Sequence, residues 1–367
     1  MSLSVGIVGL PNVGKSTLFN ALTEKQVDAA NYPFCTIDPS VGVVPVPDER
    51  ITKLAELANS EKTIPAVVEF VDIAGLVPGA SKGEGLGNKF LSNIRETDAI
   101  AHVVRIFEDP DIIHVENRID PLTDIQLINL ELIEADKQTV DNRLQTLGRD
   151  VKRGDKEALL EEKVLLGAKN ILEQDKFTYQ YYQEQPENEQ KVLKQVHLLT
   201  NKPVLYVLNK DSSGENVDGA DDDRWEELTG YFREQDALYI TVDAKTEIDL
   251  KSFDFEERAV MREEFGGVAD DIDLLIQKGY ELLDLISYFT VGETETRAWT
   301  VPRDSTAPRA GRAIHSDFEE KFIRAEVVSS QNLLACGSKA AARDKGLLKL
   351  EGKEYIVQDG DVIEFKI

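Results

Sequence analysis

The sequence predicts an α/β protein built on a doubly wound, mostly parallel sheet, with a helical insertion and a smaller α+β unit at the C-terminal end. Three observations lead to this prediction. Short apolar runs rich in β-branched residues alternate with helical patterns up to about residue 120 and again after residue 200. Between these two stretches, apolar residues recur at alternating three- and four-residue steps, which is typical of a coiled coil. In the last part of the chain, short strand patterns flank one helical pattern, which is typical of a small α+β unit.

The length and composition are those of a globular protein of two or three domains. The chain has 367 residues, of which 41% are apolar and 30% charged, a balance that can bury a sizeable core. No secretory segment is found at the N-terminus, and no apolar run is long enough to cross a bilayer. The two cysteines, Cys35 and Cys336, cannot form a disulfide framework. We therefore expect a cytoplasmic protein without a membrane partner.

The charge is unevenly distributed along the chain. The formal net charge of −26 argues at first against a nucleic-acid partner. Residues 283–367, however, carry 12 Lys and Arg against 14 Asp and Glu, which leaves 30 against 54 for the preceding residues. Because the acidic excess belongs to the front of the chain, the C-terminal unit is not excluded from contact with RNA.

Residues 9–17 follow the first apolar run and precede an amphipathic helical pattern. They have the spacing of a phosphate-binding loop, with two glycines separated by four residues and then lysine and serine. The glycines let successive backbone N–H groups face one concavity at a helix N-terminus. Lys15 would bring its charge to the β- and γ-phosphates, as a catalytic and a binding group, and Ser16 would bind Mg²⁺. We predict a nucleoside-triphosphate site contacted by Asn12, Val13, Gly14, Lys15, Ser16 and Thr17.

Two further segments are expected to complete the magnesium site. Thr36 lies in a proline-punctuated loop, where its hydroxyl is placed to become a second Mg²⁺ ligand. Asp72 ends the apolar run 67–71, the position at which a carboxylate holds Mg²⁺ through water. Gly75 lets the backbone approach the γ-phosphate closely and is a catalytic candidate. The glycine-rich stretch 78–87 is expected to become ordered when a ligand binds.

The strands of the main sheet are predicted from apolar runs. Their carboxyl ends should meet at one edge, where a ligand binds in an open α/β sheet. The predicted strands are 3–8, 41–46, 67–71, 100–106, 203–208 and 237–242.

A helical hairpin is predicted between the fourth and fifth of these runs. Leu130, Ile133, Val140, Leu144, Leu147 and Val151 form the expected seam of the first helix. The pattern breaks at Gly154 and resumes from 159 to 172. The polar stretch 180–189 is predicted to be a loop, with a helix over 192–199.

The C-terminal part reads as a small mixed α+β unit, and no catalytic constellation is visible in it. A helix over 274–285 precedes it. Strands are predicted at 297–301, 322–327, 355–357 and 361–367, with a helix over 333–342 between them.

Taken together, the motifs resemble the Obg-like ATPases of the YchF type, and the resemblance covers essentially the whole chain. It rests on residues 9–17, 31–37, 71–77, 83–88, 297–300 and 314–319. It implies a P-loop nucleotide-binding domain at 1–120 and 201–282, a coiled-coil domain at 121–200, and a TGS domain of β-grasp form at 283–367. It also implies Mg²⁺-dependent hydrolysis of ATP in preference to GTP. The implied partner is the ribosome, in particular rRNA or proteins of its large subunit.

The catalytic apparatus departs from that of many relatives. Leu76 stands where others keep a glutamine that orients water, and a leucine cannot form that hydrogen bond. The resemblance implies His114 as a candidate for the role, although a loop histidine without a catalytic role is equally compatible with the sequence. Asn12 matches the asparagine that relatives use to hold K⁺, a cation that would supply positive charge where no arginine does.

The residues expected to recognise the base also differ from the motifs of relatives. A guanine site uses Asn-Lys-x-Asp, and the YchF type usually shows Asn-x-x-Glu, whereas this chain has Asn209-Lys210-Asp211-Ser212. Asn209 and Lys210 are expected to contact the nucleotide. Asp211 stands one position early, and a shift of one residue at a strand end points a side chain the other way. Because guanine donors would be left unpaired, ATP is the expected substrate.

Two alternatives remain open. A GTPase or dual-specificity enzyme would use the same phosphate site with relaxed base reading. A nucleotide-stabilised ribosome- or RNA-binding protein with negligible turnover belongs to a different functional class. Its helical and TGS domains would carry the function.

Overall fold

A computed structural model describes most of the chain. The described residues are 3–27, 38, 40–73, 86–109, 119–212, 214–220, 223–250, 253, 257, 260–261 and 271–367, without the side chains of 86–89. Contacts divide the chain into two compact units. The first comprises Met1–Glu24, Pro33–Gly42 and Glu69–Leu275, and the second Lys25–Tyr32, Val43–Val68 and Ile276–Ile367.

The predicted doubly wound sheet is confirmed, and each predicted strand is found within two residues of its expected ends. Its strands are β1 (Ser4–Val8), β2 (Val41–Pro45), β4 (Val67–Asp72), β5 (Ala99–Arg105), β6 (Val204–Asn209) and β7 (Leu238–Val242). Their order in the sheet is β2-β4-β1-β5-β6-β7. The pairs of β1 with β4 and β5, of β5 with β6, and of β6 with β7 are parallel. Every residue of β1 and β5 is buried, as expected for strands covered on both faces.

Helices follow these strands in the pattern of an α/β fold. They are α1 (Lys15–Thr23), α2 (Glu49–Ala58), α3 (Leu86–Glu96), α8 (Arg224–Glu234), α9 (Ala244–Asp249) and α10 (Asp271–Leu282). Helix α9 begins at an aspartate cap, because the Asp243 carboxylate accepts a hydrogen bond from the Thr246 N–H at 2.8 Å. The described residues contain no helix that is both long and apolar enough to cross a membrane.

The helical insertion consists of two long helices joined by a three-residue turn, α4 (Pro121–Lys152) and α5 (Lys156–Leu172). Ile133, Val140 and Leu147 of α4 lie in one core with residues of α5, which confirms that these three belong to the predicted seam. Leu130 does not belong to that seam, since 44% of its surface is exposed. A strict 3.5-residue repeat cannot be kept along a straight helix of 3.6 residues per turn, so one end of the predicted seam lies outside the core.

The loop predicted over residues 180–189 was wrong. The structure has α6 (Tyr179–Glu184) and α7 (Glu187–Val196) there. Tyr182 and Leu193 are buried in the core of the insertion, and this packing outweighs the polar character of the stretch.

The second unit contains a six-stranded sheet among the described residues, in the order β11-β10-β12-β8-β9-β3. The strands are β3 (Lys62–Ile64), β8 (Leu285–Val291), β9 (Glu295–Pro302), β10 (Arg324–Ser329), β11 (Lys349–Glu351) and β12 (Asp361–Lys366). Its helices are α11 (Ala307–Gly311), α12 (Ser316–Glu320), α13 (Ser330–Cys336) and α14 (Lys339–Asp344).

Three predictions for this unit were wrong in detail. Residues 355–357 are not a strand, since Ile356 forms only an isolated bridge with Thr306. The helix predicted over 333–342 is two helices, because Gly337 ends the first one at a φ of 75°. Strand β8 was missed. The predicted helix 274–285 ran into it, whereas α10 ends at Leu282 and the chain turns at Asp284, where φ is 52°.

Residues from the front of the chain take part in this second unit. Strand β3 pairs in parallel with β9, with Lys62 opposite Glu295 and Ile64 opposite Arg297. Helix α2 packs against β8, β9 and α13. Contacts therefore group 43–68 with the C-terminal residues, although the sequence had assigned them to the nucleotide-binding domain. The domain boundaries at 120, 200 and 282 stay predictions.

Candidate functional site

The phosphate-binding loop connects β1 to α1, and its two glycines are required by close contacts. A Cβ atom added at Gly9 would lie 2.5 Å from the backbone oxygen of Val103 in β5. Gly14 has a φ of 96°, and a Cβ there would overlap the side-chain amide of Asn209. The loop therefore keeps its shape only with glycine at both positions.

Lys15 begins α1, and its ammonium group lies inside the loop. Only 8% of its surface is exposed, and Nζ donates a hydrogen bond to the Leu10 carbonyl oxygen at 2.7 Å. An ammonium group has three protons, so the geometry leaves protons to direct at a phosphate. Burial lowers the pKa of Lys15 to about 8, although the nearby Asp72 charge acts in the opposite direction. Such a desolvated cation interacts strongly with a polyphosphate.

The first turn of α1 adds backbone donors and hydroxyl groups. The Leu18 N–H donates to the Gly14 oxygen at 2.9 Å, which is the first helical hydrogen bond of α1. The N–H groups before it belong to the part of a helix that has no intrahelical acceptor, where anions bind. Ser16 is exposed and Thr17 half-buried, so both hydroxyls lie near the surface of this turn.

Asp72 is the last residue of β4. Its backbone N–H donates to the Ser40 oxygen at 2.9 Å, just before β2 begins. Burial raises the pKa of the Asp72 carboxyl group, and the Lys15 charge partly offsets this shift. A partly desolvated carboxylate gains from a nearby cation, so Asp72 and the Ser16 hydroxyl fit the oxygen preference of Mg²⁺.

No group of three or more His, Cys, Asp or Glu side chains in the described part of the chain is arranged to hold a metal ion. A magnesium ion at this loop would therefore depend on hydroxyl, phosphate and water ligands. Thr36, Gly75 and His114, three further predicted site residues, lie outside the described residues. Asn12 is exposed in the loop with a φ of 62°.

Asn209 joins the phosphate-binding loop to the segment that follows β7. It ends β6 and is buried. Its Nδ2 donates to the Val13 oxygen at 3.0 Å, and its Oδ1 accepts from the Ala244 N–H at 3.4 Å. The sequence predicted a nucleotide contact for Asn209, and the structure places it beside the predicted loop residues Val13 and Gly14. Lys210 follows, and its N–H donates to the Val242 oxygen at 2.9 Å.

Three interactions after β6 and β7 were not foreseen from the sequence. The Asp211 carboxylate pairs with Lys245, with Oδ2 and Nζ 3.1 Å apart. The Ser212 N–H donates to Oδ2 of Asp243 at 2.7 Å. Asn216 holds the backbone of Asp211 from both sides, accepting from its N–H at 3.0 Å and donating to its oxygen at 2.8 Å. An aspartate followed five residues later by asparagine carries no recognisable sequence signal for this clamp.

A parallel sheet whose first strand leads into such a loop, with a buried lysine aimed at its concavity, defines the class of P-loop nucleotide-binding proteins. Comparison with known families agrees. Residues 4–144 match the family described as "50S ribosome-binding GTPase". Residues 285–367 match the C-terminal domain of YchF GTPases, described as a protein of unknown function (DUF933).

Full-length relatives identify the family within this class. The chain is 51% identical over 366 residues to the "Ribosome-binding ATPase YchF" of Bacillus subtilis (strain 168), covering 100% of this chain and 99% of the relative. It is 47% identical to the protein of the same name from Haemophilus influenzae, with the same coverage. The solved structure of the Schizosaccharomyces pombe YchF GTPase superposes with a TM-score of 0.86 at 36% identity, covering 100% and 98% of the two chains. The chain belongs to the YchF family.

Proposed function

We propose that this protein hydrolyses ATP in a Mg²⁺-dependent reaction, in preference to GTP, and that it acts on the ribosome. The observation that carries the catalytic part is the buried Lys15 ammonium inside the loop, with Asp72 close enough to affect its pKa. A nucleoside-triphosphate hydrolase needs such a cation at the β- and γ-phosphates and a carboxylate at the metal.

The proposed roles combine the described positions of residues 12–17 and 72 with the roles that the sequence predicts for Thr36, Gly75 and His114. Lys15 and the N–H groups of residues 13–17 bind and orient the phosphates. Ser16 and Thr36 would hold Mg²⁺ directly and Asp72 through water, and the ion would offset charge on the phosphate oxygens. We propose that the Gly75 N–H contacts the γ-phosphate and that His114 orients the attacking water in place of Leu76. Asn12 is the proposed ligand of a K⁺ ion.

The preference for ATP is proposed from residues 209–212. The relatives named above include proteins called ATPases and one called a GTPase, so their names do not agree on the base. In this chain the position that carries the guanine-reading carboxylate in Asn-Lys-x-Asp is Ser212, which is exposed. A serine hydroxyl both donates and accepts, and it lacks the two acceptors that guanine requires.

Ribosome binding is proposed from the names of the full-length relatives. The nearly neutral residues 283–367, assigned to a TGS domain, and the coiled-coil domain at 121–200 are the proposed docking elements, toward rRNA or proteins of the large subunit. The nucleotide domain at 1–120 and 201–282 would then control docking. A cytoplasmic location follows from such a partner.

A competition titration tests the nucleotide part. ATP and GTP are titrated against a fluorescent nucleotide on the purified protein with Mg²⁺, and phosphate release is measured with and without K⁺. We expect ATP to bind at least about tenfold more tightly, which is about 1.4 kcal/mol. Turnover should exceed that of Lys15→Ala. Equal affinities would contradict the preference for ATP, and turnover no higher than that of Lys15→Ala would contradict hydrolysis.

Two alternatives have specific support. The name of the Schizosaccharomyces pombe relative favours a GTPase or a dual-specificity enzyme, which the same titration detects. Leu76, which cannot orient water, favours a ribosome-binding protein with negligible turnover. Co-sedimentation with ribosomes tests the second alternative. If Lys15→Ala binds ribosomes without nucleotide, docking needs no turnover.

The salt dependence of ribosome binding indicates the kind of contact. A steep loss of binding as salt rises would indicate contacts to RNA phosphates, whereas binding that does not change with salt would indicate contacts to ribosomal proteins.

A further inference from the structure

We infer that the end of the helical hairpin is an RNA-binding surface whose cations contact RNA phosphates. This hairpin tip comprises residues 149–156, which are the end of α4, the three-residue turn and the first residue of α5. The inference deepens the proposed function and rests on its ribosome partner, since it names the chemical group that this part of the chain binds there.

The hairpin tip reverses the charge of the chain around it. It carries four Lys and Arg against two Asp, whereas the rest of residues 121–200 carries seven against thirteen Asp and Glu. All four cations are exposed, namely Arg149, Lys152, Arg153 and Lys156. In a chain with a formal net charge of −26, such a cluster is the kind of surface that attracts a polyanion.

Three cations of the tip differ from most others in the insertion, because they have no carboxylate partner. Five of the seven cations elsewhere in the insertion form ion pairs, namely Lys137, Arg143, Lys163, Lys169 and Lys191. At the tip, Arg153 pairs with Asp150, with Nη1 and Oδ1 3.5 Å apart. Arg149, Lys152 and Lys156 form no ion pair with any residue that the structure describes. Their charged groups are therefore open to an external anion.

The spacing of these cations works against the two helices. Lys152 and Arg153 follow Arg149 by three and four residues, positions that are neighbours on a helix surface, where like charges are destabilising. The dipole of α4 offsets part of this repulsion, since a helix C-terminus favours cations. Lys156 has no such compensation, because it is the first residue of α5, where the dipole favours anions. A cluster that opposes these local preferences indicates a functional surface.

The hairpin tip offers charge and no apolar contact surface. Its one apolar side chain is that of Val151, which packs against the core of the insertion. Asp155 is engaged in capping α5, since its Oδ1 accepts from the Ala158 N–H at 2.9 Å. Protein interfaces are centred on buried aromatic and apolar side chains, whereas exposed Lys and Arg contact the backbone of a nucleic acid. The tip therefore fits RNA phosphates better than the surface of a ribosomal protein.

The tip is far enough along α4 to escape the acidic charge of the sheet. Asp136 of α4 accepts hydrogen bonds from the N–H groups of Leu199 and Thr200, which lie just before β6. From Asp136 to Lys152 the helix extends about 24 Å, at a rise of about 1.5 Å per residue. Charges are screened over about 8 Å at physiological ionic strength. The acidic residues of the sheet therefore weaken the field at the tip only slightly.

The test is the salt dependence of binding to protein-free rRNA from large ribosomal subunits, measured by filter binding with the full-length protein. For the tip variant, Arg149→Gln with Lys152→Gln and Lys156→Gln, we expect at least about tenfold weaker binding at low salt. The slope of log K against log salt should become shallower by about 2–3, because each lost phosphate contact removes roughly 0.7–0.9. The charge-conserving variant, Arg149→Lys with Lys152→Arg and Lys156→Arg, should keep the slope of wild type.

A matched control separates this effect from a change in overall charge. Lys176, Lys191 and Lys194 lie in the same insertion and are exposed. The control variant, Lys176→Gln with Lys191→Gln and Lys194→Gln, removes the same charge and should keep the affinity and slope of wild type. Both variants should bind ATP like wild type. If the tip variant does not fold, Lys152→Gln alone takes its place, with an expected change of about 1 in the slope.

Co-sedimentation with ribosomes distinguishes this inference from the proposed function. Wild-type rRNA binding by the tip variant, or an equal loss in the control variant, overturns the inference and leaves the ribosome partner intact. If the tip variant loses ribosomes but binds protein-free rRNA like wild type, the tip contacts a ribosomal protein and the inference is overturned. If wild type binds rRNA through the tip but does not bind ribosomes, the RNA surface stands and the ribosome partner fails. A wild-type protein that does not bind protein-free rRNA overturns the inference, whatever its binding to ribosomes.

Discussion

Gly14 shows how one residue at the site is determined by its neighbours. We expect Gly14→Ala to abolish nucleotide binding and to lower the free energy of unfolding by about 1–3 kcal/mol. The positive φ and the overlap with the Asn209 amide both oppose a methyl group there. Thermal unfolding and nucleotide titration measure the two effects.

Gly148 provides the matched control for this substitution. It lies in α4, and a Cβ there would meet no atom within 4 Å. Gly148→Ala should therefore be neutral or stabilise the protein by up to about 1 kcal/mol, through helix propensity. Unchanged nucleotide binding by Gly14→Ala would show that the loop adapts to a side chain.

The lowered pKa of Lys15 leads to two predictions for rising pH, an increase in its contribution to stability and a decrease in affinity for ATP. Its pKa in the folded protein, about 8, lies below the ordinary value of 10.5 because of burial. Between these values the unfolded chain binds more protons, so the contribution of Lys15 to stability rises as the pH increases from 8 to 10.5. Affinity for ATP should fall over pH 7.5–9, since the phosphates need the charged form.

Isothermal titration at several pH values measures the loss of affinity. Lys15→Arg is the control, because a guanidinium group stays charged over this range and its affinity should not vary with pH. The same decline in Lys15→Arg would assign the titration to another group.

The residue scale also shows which parts of the site could be predicted. The loop residues were predictable because a phosphate site needs two glycines, lysine and serine at fixed spacing along the chain. The Asp211–Lys245 pair was not, because 34 residues separate its members and many charged side chains could have paired with either. The roles of all predicted site residues stay predictions, and Thr36, Gly75 and His114 lie outside the described residues.

At the scale of elements, a buried carboxylate in α4 holds the residues that lie just before β6. Asp136 in α4 is fully buried. Its two oxygens accept from the Leu199 N–H at 3.0 Å, and from the N–H and hydroxyl of Thr200 at 2.8 and 2.7 Å. Lys202 continues this junction, donating to the backbone oxygens of Arg95, at 3.1 Å, and Thr97 near the end of α3.

We expect Asp136→Ala to lower the free energy of unfolding by about 2–4 kcal/mol, because three buried donors lose their acceptor. Asp150→Ala on the same helix is the control. Asp150 is 56% exposed and pairs with Arg153 at 3.5 Å, so its loss should cost less than about 0.5 kcal/mol. Urea unfolding followed by circular dichroism compares the two, and equal losses would contradict a role for burial at Asp136.

The helical hairpin shows how much the spacing of apolar residues can predict and where that prediction fails. Its existence followed from the spacing of apolar residues, and both helices were confirmed. Which apolar residues face the core depended on the partner helix, and for this reason Leu130 was misplaced. The missed β8 has a different cause, since residues 286–291 were assigned to no element and the predicted helix 274–285 reached only the first residue of the strand.

At the scale of the whole molecule, the second unit combines residues distant in sequence. Arg50 at the start of α2 pairs with Asp48 and, 309 residues away, with Asp359, each at 2.7 Å. Its guanidinium lies 5.4 Å from the centre of the Phe289 ring in β8. The hydrogen bonds and charges of Asp48 and Asp359 raise the pKa of Arg50 above its ordinary value, so Arg50 is charged at every pH at which the protein is folded.

We expect Arg50→Met to destabilise the second unit by about 1–3 kcal/mol, because charge-assisted hydrogen bonds to two carboxylates are lost. Arg303→Met is the matched control in the same unit. Its pair with Asp284 at 2.9 Å is mostly exposed, so its loss should cost under about 1 kcal/mol. Hydrogen exchange of the β8 and β9 amides reports on the unit directly, and unchanged exchange in Arg50→Met would contradict the prediction.

The isolated fragment 283–367 provides a second test at this scale. It lacks β3 and α2, so β9 would become an exposed edge and the apolar face toward α2 would lose its cover. We expect the fragment to unfold at a lower temperature than the same residues in the intact chain. A fragment with native exchange protection would show that residues 43–68 are dispensable for this unit.

The sequence by itself determined the phosphate-binding loop, the parallel sheet, the helical hairpin and the family. Each is encoded in residues close together along the chain, through spacing, hydrophobic period or motif. Only the tertiary structure decided that Asn209 joins the loop to the segment after β7, that Lys245 engages Asp211, and that residues 43–68 pack with the C-terminal sheet. These are contacts between residues far apart in sequence. Because many pairings of similar energy are open to a charged or apolar side chain, the folded backbone selects among them.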